Sequence, residues 1–249
     1  MIRLRVQQDP ARSGAILMEE DQALLELAER GKFEPLVRFY QWEVPTISLG
    51  YHQSAEQLDM SRLSAASMPW VRRPTGGAAV LHSDELTYAI VLPNCDGPKD
   101  ASRVQELVSR AIAGGLRALG VAAEVDERGE PLSALPNRTS CFVRTSRWEV
   151  TVGGKKIVGS AQRKLSSAIL QHGSILTGDD HLRITDFLQL KDDHSRELLR
   201  AKLESKATSI SHELGYAVHP NDLREAMAAS FVTVFSNLQS IPSTSAAGN

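Results

Sequence analysis

The sequence predicts an α+β fold, because helix patterns and strand patterns are interspersed along a chain of 249 residues. Residues 101–119 carry apolar side chains at helical intervals and stop at Gly120, which is typical of an amphipathic helix closed by glycine. Residues 86–92 form a short apolar run with β-branched and aromatic side chains, which indicates a buried strand. A chain of this length can bury most of the surface that its unfolded form exposes, so a substantial core is expected.

The other elements follow in chain order. A first helix is predicted over residues 16–28 and is expected to end at Gly31. Its apolar side is assigned to Ile16, Leu17, Ala23, Leu24, Leu27 and Ala28. Further strands are predicted over 36–42, 46–49, 70–73, 121–125 and 168–176, and further helices over 55–62, 195–203 and 220–235. Residues 148–158 predict a hairpin, because Gly153 and Gly154 separate two alternating runs.

Composition indicates a soluble globular protein, with 42% hydrophobic and 23% charged residues. The formal net charge of −2 offers no general attraction to phosphate backbones, so neither nucleic acid nor an anionic membrane is expected as a partner. No stretch has the pattern of a signal peptide or a membrane span, and we expect a cytoplasmic monomer. One domain is expected over residues 1–237, followed by a flexible tail of small polar residues over 238–249.

The loop at residues 72–82, RRPTGGAAVLH, is the first candidate site. Gly76 and Gly77 lack a Cβ, so the chain can take positive φ there and a ligand can approach its peptide groups closely. Arg73 adds a fixed charge. Because turns routinely recruit glycine, the same pattern is also typical of plain hairpin architecture, and the loop alone does not establish a site.

The two cysteines have different surroundings. They form no Cys-x-x-Cys pair and no cluster with histidine at zinc-like spacing, so no metal site is predicted. Cys95 ends a predicted strand and is expected to be a buried, inert thiol. Around Cys141 lie three arginines within six positions, Arg138, Arg144 and Arg147. Since cationic neighbours favour the thiolate, Cys141 is a candidate nucleophile, with an inert thiol as the alternative.

Three further residues are candidates with open interpretations. Lys156 follows the predicted glycine turn in a strand-like run, where a buried ammonium requires a partner and a solvated strand face is the alternative. For His82 and His172 the pattern favours hydrogen-bonded core histidines over ligand contacts. The nucleophile elbow, the P-loop and the dinucleotide fingerprint are all absent. The residues alone therefore predict a candidate cysteine nucleophile beside a basic, glycine-lined pocket.

Five segments together resemble the lipoate-protein ligase and octanoyltransferase superfamily: FYQWEVPTISLGYHQ, RRPTGGAAVLHSDELTYAIV, SCF, KKIVGSAQRK and LQHGSIL. They occur in the family's order over about residues 18–235. The chain is especially similar to the cysteine-dependent octanoyltransferases, in which the cysteine lies fifteen residues before the motif lysine, as Cys141 does before Lys156. The resemblance implies a mixed, largely antiparallel central sheet flanked by helices, similar to the catalytic domains of class II synthetases and biotin ligases. The Gly-Arg-Gly-Arg type loop of biotin ligases is absent.

The resemblance also implies an activity. Cys141 would accept an octanoyl group from octanoyl-acyl carrier protein as a thioester, with Lys156 stabilising the thiolate. The acyl group would then pass to a lysine of the glycine-cleavage H protein or another lipoyl domain, as a step of lipoate biosynthesis that needs no cofactor. Substrate binding is implied for Arg73, Thr75, Gly76, Gly77, His82, Gly159, Ser160, Ala161, His172 and Gly173.

Three alternatives stay open at this point. In an ATP-dependent lipoate-protein ligase, the Arg73 loop and Lys156 would hold a lipoyl-adenylate formed with ATP and Mg²⁺. An amidotransferase would move the acyl group from H protein to other lipoyl domains, and a catalytically silent protein would only bind the carrier. The sequence departs from common family residues at Ala78, Ser83 and Ala89, which leaves the substrate preference in question.

Overall fold

The computed structural model describes residues 3–31, 33–95, 100–128 and 147–236. Cys141, Arg138, Arg144 and the expected tail over 238–249 lie outside the described residues. The strands are β1 (Arg5–Gln8), β2 (Leu36–Tyr40), β3 (Thr46–Leu49), β4 (Trp70–Arg72), β5 (Val80–His82), β6 (Glu85–Leu92), β7 (Glu124–Asp126), β8 (Glu149–Val152), β9 (Lys155–Lys156), β10 (Val158–Lys164) and β11 (Ile169–Leu176). The α-helices are α1 (Gly14–Glu29), α2 (Met60–Ala65), α3 (Asp100–Ala118), α4 (Ile184–Phe187), α5 (Asp193–Lys206), α6 (Ile210–Leu214) and α7 (Pro220–Ser236).

The strands form three sheets. The largest has the order β1-β2-β6-β11-β10, in which β1 and β2 run parallel and the other neighbours antiparallel. A second sheet has the order β4-β3-β5, with β3 and β4 parallel, and a third has the antiparallel order β7-β8-β9. The predicted α+β fold with a mixed, largely antiparallel sheet is confirmed.

Helices cover both faces of the largest sheet, and β6 shows why. All of its residues are buried, and alternate side chains point to opposite faces. Tyr88 and Ile90 belong to one hydrophobic cluster with α3 and α7, whereas Ala89 and Val91 belong to another with α1. A strand that is buried on both faces has a continuous run of apolar residues in its sequence. That run is the pattern from which β6 was predicted. In the described ranges, none of the helices is long and apolar enough to cross a bilayer.

The predicted apolar side of α1 is only partly correct. Ile16 and Leu27 are 44% and 48% exposed, and the buried stripe instead includes Leu17, Asp21 and Leu25. These three positions are four residues apart and therefore lie on one face of the helix. The prediction differs from the structure because it placed the acidic residues on the solvent side of the helix. Asp21 instead faces the interior, where it has hydrogen-bond partners.

Several predicted boundaries shift. The region predicted as a helix over 55–62 contains a 3-10 turn at Ala55–Gln57, followed by α2. The strand predicted over 121–125 is shorter and begins later, as β7 at Glu124–Asp126. The sequence patterns did not predict the short elements β1, β5, α4 and α6 or the seven-residue strand β10 as separate elements. The predicted hairpin is confirmed as β8 and β9, with φ of 54° at Gly153 and 77° at Gly154. Positive φ at both turn residues is typical of a type I′ turn.

Candidate active site

A cavity is lined by strands of the five-stranded sheet and of the sheet β4-β3-β5, and by α1. The space between atoms at this site is about 340 Å³, a figure that also counts open solvent at its mouth. The apolar part of its wall is formed by Met18, Tyr40, Trp42 and Val80. Predicted site residues that line it are Arg73, His82, Gly159, Ser160, Ala161, His172 and Gly173. The structure therefore brings together Arg73 and Gly173, which are 100 positions apart in the sequence.

One wall of the cavity depends on a close approach between β10 and β11. Ser160 pairs with Gly173 in the strand register, and a Cβ at Gly173 would lie 2.2 Å from the Gly159 carbonyl oxygen. The Ser160 hydroxyl is 2.7 Å from the hydroxyl of Tyr88. Burial raises the pKa of Tyr88 to about 12, so this hydroxyl stays neutral and orients Ser160 at physiological pH.

Substituting Gly173 with alanine is expected to lower the free energy of unfolding by roughly 1–3 kcal/mol, because the backbone oxygen of Gly159 has to move. Gly76→Ala is the matched control, since a Cβ there meets nothing within 4 Å and φ is not positive. That variant should be neutral or stabilised by up to about 1 kcal/mol. Urea unfolding of both variants tests this difference, and equal stabilities would contradict it.

The two arginines of the glycine loop hold the loop in place. Arg73 is 4% exposed and donates to the carbonyl oxygens of Ser48, Gly76 and Ala78, and also to the Ser48 hydroxyl at 3.0 Å. Arg72 donates to three carbonyl oxygens beyond β3, those of Gly50, Tyr51 and Gln53. Gly77 has φ of 97° and its carbonyl oxygen would lie 2.0 Å from a Cβ at Gly50. The guanidinium groups thus shape the loop, and substrate binding by Arg73, Gly76 and Gly77 stays a prediction.

His82 is part of a buried hydrogen-bonded chain. Its Nε2 is 2.7 Å from the Ser48 hydroxyl and its Nδ1 is 2.8 Å from a carboxylate oxygen of Glu85. The Thr87 hydroxyl donates to the same carboxylate, and the Trp42 indole N–H donates to Thr87 at 2.9 Å. The Trp42 ring stacks on the imidazole at 3.9 Å between centroids. His82 is therefore a hydrogen-bonded core histidine at the cavity wall.

His172 forms a second chain of the same kind. Its Nε2 is 2.6 Å from the Thr75 hydroxyl and its Nδ1 is 2.8 Å from a carboxylate oxygen of Asp21. Asp21 also accepts a hydrogen bond from the Tyr40 hydroxyl at 2.8 Å and pairs with Arg38. Burial, and then Asp21, raise the pKa of Tyr40 well above its usual value, so Tyr40 remains a neutral donor.

Lys156 lies on β9 and is 2% exposed. Its ammonium nitrogen is 2.9 Å from a carboxylate oxygen of Glu149 on the neighbouring strand β8. The expectation that a buried lysine in this run requires a partner is confirmed. Lys156 does not line the cavity as the described residues outline it. Cys141 lies outside the described residues, so its distance to Lys156 stays untested, whereas Cys95 is fully buried as predicted.

Sequence reasoning missed Asp21, Ser48 and Glu85. For Asp21 a signal was present, because an acidic residue between Leu17 and Leu25 at four-residue spacing falls on the buried side of the helix. Ser48 lies within a predicted strand and Glu85 directly precedes one, and nothing local at either position distinguishes a buried polar side chain from an exposed one. Two positions at which the sequence departs from common family residues also lie near the site. Ala89 pairs with both Arg38 and His172 in the strand register, and the Ser83 hydroxyl donates to Asp180.

Comparison with known proteins shows to which family this chain belongs. The sequence model described as the lipoyl protein ligase A/B catalytic domain matches residues 14–232. The chain belongs to this lipoyl protein ligase A/B family. Among curated relatives, the octanoyltransferase LipM of Kyrpidia tusciae is 39% identical over 225 residues, covering 88% of this chain and 82% of the relative. That of Anoxybacillus flavithermus is 36% identical over 226 residues, covering 88% and 81%.

Solved structures confirm the fold of the lipoyl protein ligase A/B family. A bi-partite lipoate protein ligase from Thermoplasma acidophilum superposes with a TM-score of 0.78 at 21% identity, covering 95% of this chain and 85% of that one. A lipoate-protein ligase A bound with ATP superposes with a TM-score of 0.72 at 23% identity, covering 94% and 85%. At these identities the likeness establishes the architecture and leaves the activity to be argued from the residues.

Proposed function

We propose that this protein is an octanoyltransferase of lipoate biosynthesis that uses Cys141 as its nucleophile. The observation that carries the proposal is the similarity to octanoyltransferases LipM at 35–39% identity over most of the chain. The spacing of fifteen residues between Cys141 and Lys156 supports the same activity. As an acyltransferase, the protein handles a substrate that is already activated as a thioester.

The first half of the reaction transfers the acyl group to the enzyme. The Cys141 thiolate attacks the thioester carbonyl of octanoyl-acyl carrier protein, the carbon–sulfur bond to the carrier breaks, and the carrier thiol leaves. In the second half, an amine of the acceptor attacks the enzyme thioester and forms an amide. The exchange of one thioester for another has a free-energy change near zero, and conversion of a thioester to an amide is favourable. The reaction therefore requires neither ATP nor another cofactor.

The setting of Lys156 supports its role beside the thiolate. A buried ammonium 2.9 Å from the carboxylate of Glu149 is held at a defined place. A fixed positive charge can stabilise a thiolate first and the oxyanion of the tetrahedral intermediate afterwards. The cavity beside His82, Gly159 and His172 has the apolar wall that an octanoyl chain requires.

The partners follow from the chemistry. We propose octanoyl-acyl carrier protein as the donor, and the glycine-cleavage H protein or another lipoyl domain as the acceptor. The family match over residues 14–232 supports a single catalytic domain that spans most of the chain. A cytoplasmic monomer is consistent with this function, in which two small carrier proteins visit one site in turn.

Replacing Cys141 with alanine is expected to abolish both the acyl adduct and octanoyl transfer. Intact-mass measurement after incubation with octanoyl-acyl carrier protein should show one octanoyl adduct on the unmodified protein and none on Cys141→Ala. Cys95→Ala is the matched control and should retain the adduct, because Cys95 is fully buried. Octanoyl transfer by Cys141→Ala, or modification that requires free lipoate and ATP, would contradict the proposal and favour a ligase.

A further inference from the structure

We propose that a groove beside the cavity binds the phosphate of the donor's phosphopantetheine arm, through the guanidinium groups of Arg72 and Arg163. This inference rests on the proposed octanoyl transfer and concerns how the donor is recognised before any bond changes. An acyl carrier protein holds its acyl group as a thioester at one end of that arm, and a phosphodiester joins the other end to the carrier. The arm therefore brings a fixed negative charge to the enzyme together with the acyl group.

The groove adjoins the cavity and shares part of its wall. Met18 and Arg73 line both spaces, so the groove and the cavity meet at these two residues. The space between atoms in the groove is about 900 Å³, a figure that also counts open solvent. A donor whose acyl chain occupies the cavity can therefore place its arm in the groove.

Two arginines on the wall of the groove are held in place by neutral groups. The guanidinium of Arg163, on β10, lies 4.5 Å from the centroid of the Tyr51 ring and donates to the Pro74 carbonyl oxygen at 3.0 Å. Arg72 is exposed, and its Nη1 donates to the carbonyl oxygens of residues 50, 51 and 53. Within the described ranges neither guanidinium pairs with a carboxylate. Both arginines therefore bring an uncompensated positive charge to the groove.

The chemistry of these side chains suits a phosphate. A guanidinium presents a planar fork of N–H donors that matches two phosphate oxygens, and such charge-assisted hydrogen bonds are stronger than neutral ones. Arg72 and Arg163 each use Nη1 in the hydrogen bonds just described, which leaves Nε and Nη2 of each side chain for a ligand. Side chains that are already fixed by the protein also lose little conformational freedom when a ligand binds.

The opposite charges of the groove lie on α1. Glu19 and Glu26 line the groove from that helix and are exposed. Because like charges repel, an anion is directed away from α1 and towards Arg72 and Arg163. The same two arginines repel the ammonium of an acceptor lysine. The charges therefore favour the phosphorylated donor as the occupant of the arginine side.

Two small donors that differ only in the phosphate test this assignment. Octanoyl-phosphopantetheine and octanoyl-pantetheine carry the same thioester, and intact-mass measurement gives the second-order rate constant of adduct formation with each. The unmodified protein is expected to react roughly 10-fold or more faster with the phosphorylated donor. The ratio of the two rate constants is the decisive quantity, because a general loss of folded protein slows both donors equally.

Variants of the two arginines should change that ratio. Arg72→Gln and Arg163→Gln should each lower it, and the double variant should bring it to about one. Arg163→Lys keeps the charge and should retain part of the preference. Arg117→Gln is the matched control, because Arg117 is exposed on α3, donates to the Ala123 carbonyl oxygen at 2.9 Å and is not among the described residues that line the groove. Its ratio should equal that of the unmodified protein.

Several outcomes would overturn the phosphate site. These are equal rate constants of the unmodified protein for the two donors, and a double variant that keeps the preference. Failure of octanoyl-phosphopantetheine to form the adduct that octanoyl-acyl carrier protein forms would also overturn it, because the arm would then not be recognised by itself. A defect confined to discharge of the adduct to apo H protein would assign the groove to the acceptor instead. Absence of any adduct from octanoyl-acyl carrier protein on the unmodified protein would overturn the proposed function.

Discussion

Replacing Arg38 with methionine is expected to lower the free energy of unfolding by about 3–5 kcal/mol, because buried carboxylates lose their cation. Arg38 is 1% exposed, and its guanidinium lies 2.7 Å from Asp9 and 3.5 Å from the fully buried Asp21. Burial opposes its charge, but the carboxylates of Asp21, Glu20 and Asp9 outweigh that effect and raise the pKa of Arg38 above its usual value. The charged side chain is thus part of the folded core, and urea unfolding measures its contribution.

The control for this experiment is an ion pair at the surface. Arg200 and Glu204 are 47% and 52% exposed, and Arg200→Met should change the stability by less than about 1 kcal/mol. Adding Asp21→Asn to Arg38→Met should recover part of the loss, since a neutral amide does not need the guanidinium. Similar small effects of Arg38→Met and Arg200→Met would show that the buried cluster does not stabilise the fold.

Replacing Lys156 with methionine is expected to slow the formation of the Cys141 acyl adduct by about 100-fold or more. The physical reason is that the thiolate and the oxyanion both lose a fixed positive charge. The same change removes the partner of Glu149, which is 6% exposed, and should therefore also destabilise the protein. Rapid quenching followed by intact-mass measurement gives the rate of adduct formation.

Two controls separate catalysis from stability in that experiment. Lys155→Met changes the neighbouring lysine, whose ammonium donates to the Glu204 carbonyl oxygen at 3.4 Å on the surface, and this variant should acylate normally. Adding Glu149→Gln to Lys156→Met should recover part of the stability without restoring the rate, because it removes the buried carboxylate that faced the ammonium and returns no positive charge to the site. Normal adduct formation by Lys156→Met would rule out the role proposed for this lysine.

Periodicity and turn chemistry predicted the main elements of the fold. The helix α3, the buried strand β6 and the glycine turn between β8 and β9 depend on residues close in sequence, so the pattern was sufficient for them. The boundaries of short elements such as β7 and α2 were less predictable, because tertiary contacts decide where a short strand or turn ends. Three of the motif segments also predicted residues that line the cavity, since they contribute His82, Gly159 and His172 to its wall.

The polar connections of the site required the tertiary structure. Asp21 and His172 are separated by 151 positions, and Ser48 and His82 by 34, so no local pattern relates them. A hydrogen bond forms only when strand register and helix orientation bring donor and acceptor within about 3 Å, and sequence spacing does not encode that distance. The amino-acid pattern therefore determined the fold class, the family and the candidate nucleophile. The three-dimensional packing alone decided which histidine is backed by a charged cluster, because the energy of a buried charge depends on every neighbour that surrounds it.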